Sequence, residues 1–130
     1  MDTKELIELV KQKYPALASS IKMVNGSGNE VMGEISFHNP RYALWFSVDD
    51  NSFIVGINDI HSHLESSDYE LNLQETFDEL DNIINDRVIV IGSKNKQDNF
   101  ILSTIEIAEG RVRHFRKNSE IEIVSFSKEY

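Results

Sequence analysis

Within the segment Val55–Glu65, VGINDIHSHLE, the residues Asp59, His61, His63 and Glu65 alternate along the chain. Successive side chains of an extended backbone point to opposite faces, so these four would project to one side. Neutral imidazole nitrogen beside carboxylate oxygen suits Zn, Mn, Fe or Ni, which makes the cluster a candidate site for a divalent ion. His61 and His63 could also serve as an acid-base pair, because histidine titrates near neutrality. The alternative without chemistry is that the histidines organise the loop by hydrogen bonding to Asp59.

The surrounding sequence weighs against catalysis. Glu65 follows the HxH pair too closely for the spacing of cupin-type metalloenzymes, and the only downstream histidine, His114, sits in the basic run RVRHFRK. No GxSxG elbow, P-loop or HExxH motif is present. The absence of cysteine excludes disulfides, thiolate metal sites and a cysteine nucleophile, and fits a reducing compartment. A protein without catalytic residues, cofactor or metal is therefore expected, with a small metal-dependent enzyme built on Asp59, His61, His63 and Glu65 as the alternative.

Charge gives the stronger signal. Between Arg41 and Arg87 there is no Lys or Arg, yet the segment holds Asp49, Asp50, Asp59, Glu65, Asp68, Glu70, Glu75, Asp78, Glu79, Asp81 and Asp86, half of the chain's 22 acids. The net charge of -9 is thus gathered into a field. Such a field favours a basic partner and repels nucleic acid and anionic membrane. Solubility alone is the competing explanation, since acidic surfaces keep small domains dissolved.

The elements that must position these residues are legible from periodicity. The 130 residues and 40% apolar content suit one domain, residues 1–130. Asp2 with Glu5 forms a capping box, and Leu6, Leu9, Val10 and Tyr14 recur at helical spacing, predicting a helix over 3–14 that ends before Pro15. No apolar run long enough to span a membrane or to act as a signal core occurs, so a soluble, cytoplasmic protein is expected. β-rich runs at 21–24, 31–37, 42–48 and 53–57 alternate with the turn signals NGSGN, HNP and DDNS. A second helix is predicted over 73–85, with Asn72 as its cap and Leu73, Phe77, Leu80 and Ile84 on its apolar stripe. Further strands are predicted at 87–91, 100–108, 111–115 and 121–126, with Arg111, Arg113 and Lys117 able to pair with Glu106, Glu120 or Glu122. The expected architecture is α+β: a single curved antiparallel meander sheet packed with two helices.

The stretch ALWFSVDDNSFIVGINDIHSHLESS, in which a W-F-x-V strand and a short turn lead into V-G-x-x-D-x-H-x-H, resembles small bacterial immunity proteins of polymorphic and contact-dependent growth inhibition toxin systems. The resemblance extends more loosely through QETFDELDNIIND, RVIVIGSK and GRVRHFRKN, covering Leu44 to Asn118. It implies a non-catalytic inhibitor that binds the C-terminal domain of a cognate toxin, and such toxins are often nucleases with basic surfaces. Under this reading Trp45, Phe53 and Tyr69 are candidate anchors. Asp49, Asp50, Glu65, Asp68, Glu70, Asp78 and Asp81 form the electrostatic surface, and Asp59, His61 and His63 organise the loop. An acidic adaptor for some other basic protein is the remaining alternative.

Overall fold

Asp2 starts the first helix, α1 (Thr3–Lys13), by accepting a hydrogen bond from the Glu5 N–H at 2.9 Å, which satisfies a donor that the first turn leaves without a helical partner. Leu6, Ile7 and Val10 turn inward at helical spacing, and Pro15 then opens a short 3-10 helix, Pro15–Ser20. The computed structural model describes residues 1–26, 28, 30–50, 52–107 and 120–130. After the 3-10 helix come β1 (Lys22–Asn25), β2 (Val31–Ser36), β3 (Ala43–Asp49), β4 (Ser52–Ile57) and β5 (Ile60–Leu64). They are followed by α2 (Tyr69–Ile84), β6 (Val88–Lys94), β7 (Phe100–Ile107) and β8 (Ile121–Val124).

The α+β class holds, but among the described residues the strands form two sheets where one was expected. The first is a five-stranded sheet in the order β1-β2-β3-β4-β5, and the second is three-stranded in the order β7-β6-β8. The reason lies in β6, whose two ladder sides are taken by β7 and β8, leaving no edge for a continuation from β5. The predicted strand at 111–115, and with it His114, Arg111, Arg113 and Lys117, lies outside the described residues. The chain divides into two compact units, one of residues 1–35 and 43–78, the other of residues 36–42 and 79–130.

In the first unit the inward face of the five-stranded sheet carries Leu44 and Phe46 from β3 and Phe53, Val55 and Ile57 from β4, all buried. Full burial of each such side chain contributes about 1.5–3 kcal/mol. α1 lies against this face. A Cβ on Gly33 would stand 2.4 Å from the Phe46 ring and 3.0 Å from Ile7, so the bare backbone of β2 is what lets ring and helix approach. Thr3 anchors the helix start, its Oγ1 accepting from the Val48 N–H at 3.0 Å and donating to the Val48 carbonyl at 3.3 Å.

The second unit is built on β6, whose Ile89, Val90 and Ile91 are buried on both faces, as an apolar run between two partner strands requires. Here Tyr42 is 1% exposed and donates its hydroxyl to Glu122 Oε1 at 2.7 Å. Burial and the neighbouring Glu122 carboxylate push the phenol well above its ordinary range. Glu122 is held by Tyr42, by Arg41 at 3.2 Å and by Asn39 at 3.3 Å, while the basic run with which it was expected to pair lies outside the described residues. A Cβ on Gly92 would fall 1.8 Å from the Tyr42 hydroxyl, so this glycine, at the bulge after Ile91, is required by the buried phenol.

Asp86, with a φ of 61°, accepts hydrogen bonds from Ser125 Oγ at 2.6 Å, from the Ser127 N–H at 2.8 Å and from Ser127 Oγ. Burial opposes its ionisation, but the Ser125 and Ser127 hydrogen bonds and the nearby Lys128 outweigh this and hold the carboxyl below its ordinary value.

Two outcomes follow for stability. Gly92→Ala is expected to destabilise by about 1–3 kcal/mol, and combining it with Tyr42→Phe to cost less than the sum of the two, as read by urea unfolding. A depressed carboxyl contributes stability above its ordinary value, and that contribution is lost as pH falls through the lowered one. Asp86→Asn is therefore expected to flatten the decline in melting temperature below about pH 4, whereas an unchanged acid limb would remove Asp86 as its source.

Candidate functional site

The β4–β5 hairpin is the centre of the region the sequence marks. Ile57 pairs with Ile60 across the two-residue turn Asn58-Asp59, and Asn58 takes a φ of 49°, a left-handed conformation that asparagine tolerates better than most residues. Asn58 is fastened to β3 three times. Its Oδ1 accepts from the Ala43 N–H at 2.9 Å, its own N–H donates to the Ala43 carbonyl at 3.1 Å, and its carbonyl accepts from Trp45 Nε1 at 2.7 Å.

From there the Trp45 ring crosses the sheet. Trp45, Gly56 and His61 stand in one cross-strand row, and a Cβ on Gly56 would lie 2.6 Å from the indole. Without one, the indole passes over β4 to meet His61, with ring centroids 5.6 Å apart. His61 and His63 follow edge to face at 4.9 Å, His63 Nδ1 lies 3.6 Å from Glu65 Oε1, and Ser52 Oγ donates to that same oxygen at 3.0 Å. The run is therefore a surface aromatic ladder that ends on a carboxylate. Trp45 is half-buried with its one donor satisfied, so it is part of this ladder and not a free anchor.

The four alternating residues do not converge on one point. β5 is extended, so Asp59 and Glu65 stand at opposite ends of it, about 20 Å apart at about 3.3 Å per residue, whereas ligands of one ion must all come within about 2–2.5 Å of it. Among the described residues no group of three or more His, Asp or Glu is placed to hold a metal ion. Asp59 sits in the turn, exposed, and among the described residues its side chain takes no hydrogen bond from either histidine. The organising role expected of Asp59 belongs to its neighbour Asn58.

At the far end of the sheet, Asp49 pairs with Ser52 across the β3–β4 turn, where Asp50 has a φ of 52°. The chain then reaches α2 through a hydrogen-bonded corner. Asn72, predicted as the helix cap, is 2% exposed inside the helix, where it bonds both the Ser66 N–H (2.9 Å) and the Ser66 carbonyl (2.8 Å). Asp68 does the capping, accepting from the Leu71 N–H at 3.2 Å, so α2 starts one turn earlier than predicted. The buried stripe shifts with it, to Asn72, Thr76, Leu80 and Ile83.

Phe53, a candidate anchor, is 2% exposed and packs 5.8 Å from the Tyr69 ring; it belongs to the core because it faces the same side as Val55 and Ile57. Tyr69 itself is 44% exposed. It borders a cleft of about 320 Å³ with Met1, Asp50, Phe53, Ser66 and Asn72, so the structure brings Tyr69 and Asp50 together. Asp49 lines a different cleft, of about 340 Å³, with Lys4, Glu30 and Ser47.

The acidic field sorts by exposure. Asp49, Asp50, Asp59, Glu65, Asp68, Glu70, Glu75 and Asp78 are all exposed, while Glu79, Asp81 and Asp86 are half-buried. Asp81 is therefore not an open surface charge as expected. The exposed apolar side chains Ile60 (42%), Tyr69 (44%) and Leu71 (45%) occur along the same segment. Ile60 and Leu71 escaped the sequence reading because alternation and helical spacing do not tell an apolar residue with a buried neighbour from one without. No helix among the described residues is long and apolar enough to cross a membrane. No protein-family model, no curated protein and no solved structure matches this chain.

Trp45 is the chain's one tryptophan, so its emission reports on the ladder directly. Gly56→Ala is expected to red-shift that emission and to destabilise by about 1–3 kcal/mol. An unshifted spectrum with unchanged stability would show that the indole does not lie over Gly56.

Proposed function

We propose that this chain is an immunity-type inhibitor, acting in the cytoplasm, that binds and neutralises a basic toxin domain of the nuclease kind through its acidic surface, without catalysis of its own. The observation that carries this is the sorting of charge in residues 43–78: all eight carboxylates there are exposed, no Lys or Arg stands among them, and the exposed apolar residues Ile60, Tyr69 and Leu71 lie in the same stretch. Tight protein interfaces combine these ingredients, with a few apolar or aromatic anchors setting the dissociation rate and the charged rim setting the encounter rate. A surface selected for solubility alone has no need of exposed Tyr69 and Leu71 on either side of Glu70, next to Asp68. The resemblance of the Leu44–Asn118 stretch to small bacterial immunity proteins supports the same reading.

Tyr69 is the anchor in this account, with Asp50, Asp68 and Glu70 around it and Glu75 and Asp78 further along α2. Trp45, His61 and His63 shape the sheet face and carry out no reaction. An acidic surface of this kind imitates the phosphate backbone that a nuclease must hold.

Co-expression with the C-terminal domain of whatever large polypeptide is encoded immediately upstream is expected to rescue growth and to yield a stoichiometric complex in high salt. Glu70→Lys with Asp78→Lys is expected to slow association about tenfold or more at low salt, with the difference shrinking as salt is raised. Equal association rates for wild type and double variant at low salt would remove the steering role, and failure of both rescue and capture would remove the inhibitor reading.

A further inference from the structure

Among the described residues β5 is the outermost strand of its sheet and pairs with β4 alone. In a hairpin closed by a two-residue turn the flanking pair, here Ile57 and Ile60, exchanges hydrogen bonds, and the alternation of an antiparallel ladder then turns Ser62 and Leu64 toward β4 as well. The N–H and C=O groups of His61 and His63 face outward. The Asn58 N–H bonded to the Ala43 carbonyl fits the same alternation on the other side of β4. Among the described residues no hydrogen bond from another element reaches the outward groups.

Sheet edges are ordinarily guarded by lysine, proline, a bulge or an inward charge. The opposite edge, β1, opens with Lys22, whereas β5 reads Ile-His-Ser-His-Leu, has an unbroken register, and is exposed from Ile60 through His63. It is an unguarded template.

The geometry points to β5 as the place where a strand of the basic partner is added to the sheet as its sixth strand, a docking mode that rests on the inhibitor reading above. Main-chain hydrogen bonds to His61 and His63 would supply the ladder. Charge selects the occupant. Asp59 and Glu65 stand at the two ends of the strand, so an incoming segment with Lys or Arg near each end meets a carboxylate at both. A second copy is disfavoured, because antiparallel pairing of β5 with itself about Ser62 sets Asp59 against Glu65 twice.

Proline separates backbone from side chain. His63→Pro deletes an outward N–H while leaving the β4 ladder intact, as proline is tolerated where an edge N–H faces solvent. His63→Ala deletes the imidazole and keeps the N–H. With the upstream-encoded C-terminal domain as probe, His63→Pro is expected to raise Kd by about tenfold or more and His63→Ala to change it little. Binding by wild type should also protect the His61 and His63 amides from hydrogen exchange, which serves as the readout if His63→Pro melts early. Unchanged Kd in a stably folded His63→Pro, or no protection in the complex, overturns the edge docking and leaves the inhibitor reading in place. No wild-type complex at all overturns both, and a wild-type dimer abolished by His63→Pro would give the edge to a second copy.

Discussion

The arrangement of the five-stranded sheet's outer region hangs on the left-handed backbone of Asn58. That single residue closes a two-residue turn and so fixes the register of β5 against β4. Register in a strand is all or nothing, since a slip of one residue exchanges the two faces. With the register set, His61 and His63 share a face with Trp45, Ser62 and Leu64 turn to the other, and the alternation of inward and outward amides is determined. The three bonds from Asn58 to Ala43 and Trp45 tie the turn to β3, so the tip of the hairpin is held by the strand that pairs with β4 as well as by its own ladder.

Much of the local structure was legible in the sequence. The Asp2 cap, the inward stripe of α1 and seven of the strands announce themselves through capping chemistry and periodicity, and the acidic field is visible by counting. What was not legible depended on partners distant in the chain. Asn72 looks like a cap because asparagine is a favoured one, but a buried corner at Ser66 competes for its side chain and wins, leaving the cap to Asp68. Phe53 alternates as any strand residue does, and only the side covered by Tyr69 decides that it is core. The division into two sheets is a choice of ladder partners for β6, which no local pattern encodes. The histidines were rightly assigned to one face, but equal spacing along an extended strand spreads residues out instead of gathering them, and this defeats a four-ligand reading.

The carboxylates show two uses of one chemistry. Asp86 is surrounded by donors, its charge consumed in joining Ser125 and Ser127. Glu75 and Asp78 lie on a helix face without a lysine, where like charges oppose the helix by about 0.2–0.5 kcal/mol per pair. The Gln74 amide, donating to Asp78 at 3.0 Å, offsets little of this. The helix tolerates the repulsion because Leu80 and Ile83 are buried beneath it. Charge that a fold bears without using is charge available to something else.

The Trp45–Gly56–Asn58 arrangement also limits how such a chain can drift. Any side chain larger than hydrogen at position 56 displaces the indole, a smaller residue at position 45 uncovers β4 and leaves the Asn58 carbonyl without its donor, and a residue at position 58 that resists left-handed backbone loosens the turn on which both depend. The three positions can therefore change only together. Apart from Glu65 and Asp68, which hold Ser52 and the Leu71 N–H, the exposed acids around these positions carry no such mutual dependence, so descendants of this chain could rewrite that surface one residue at a time and follow a changing partner while the scaffold beneath stayed still.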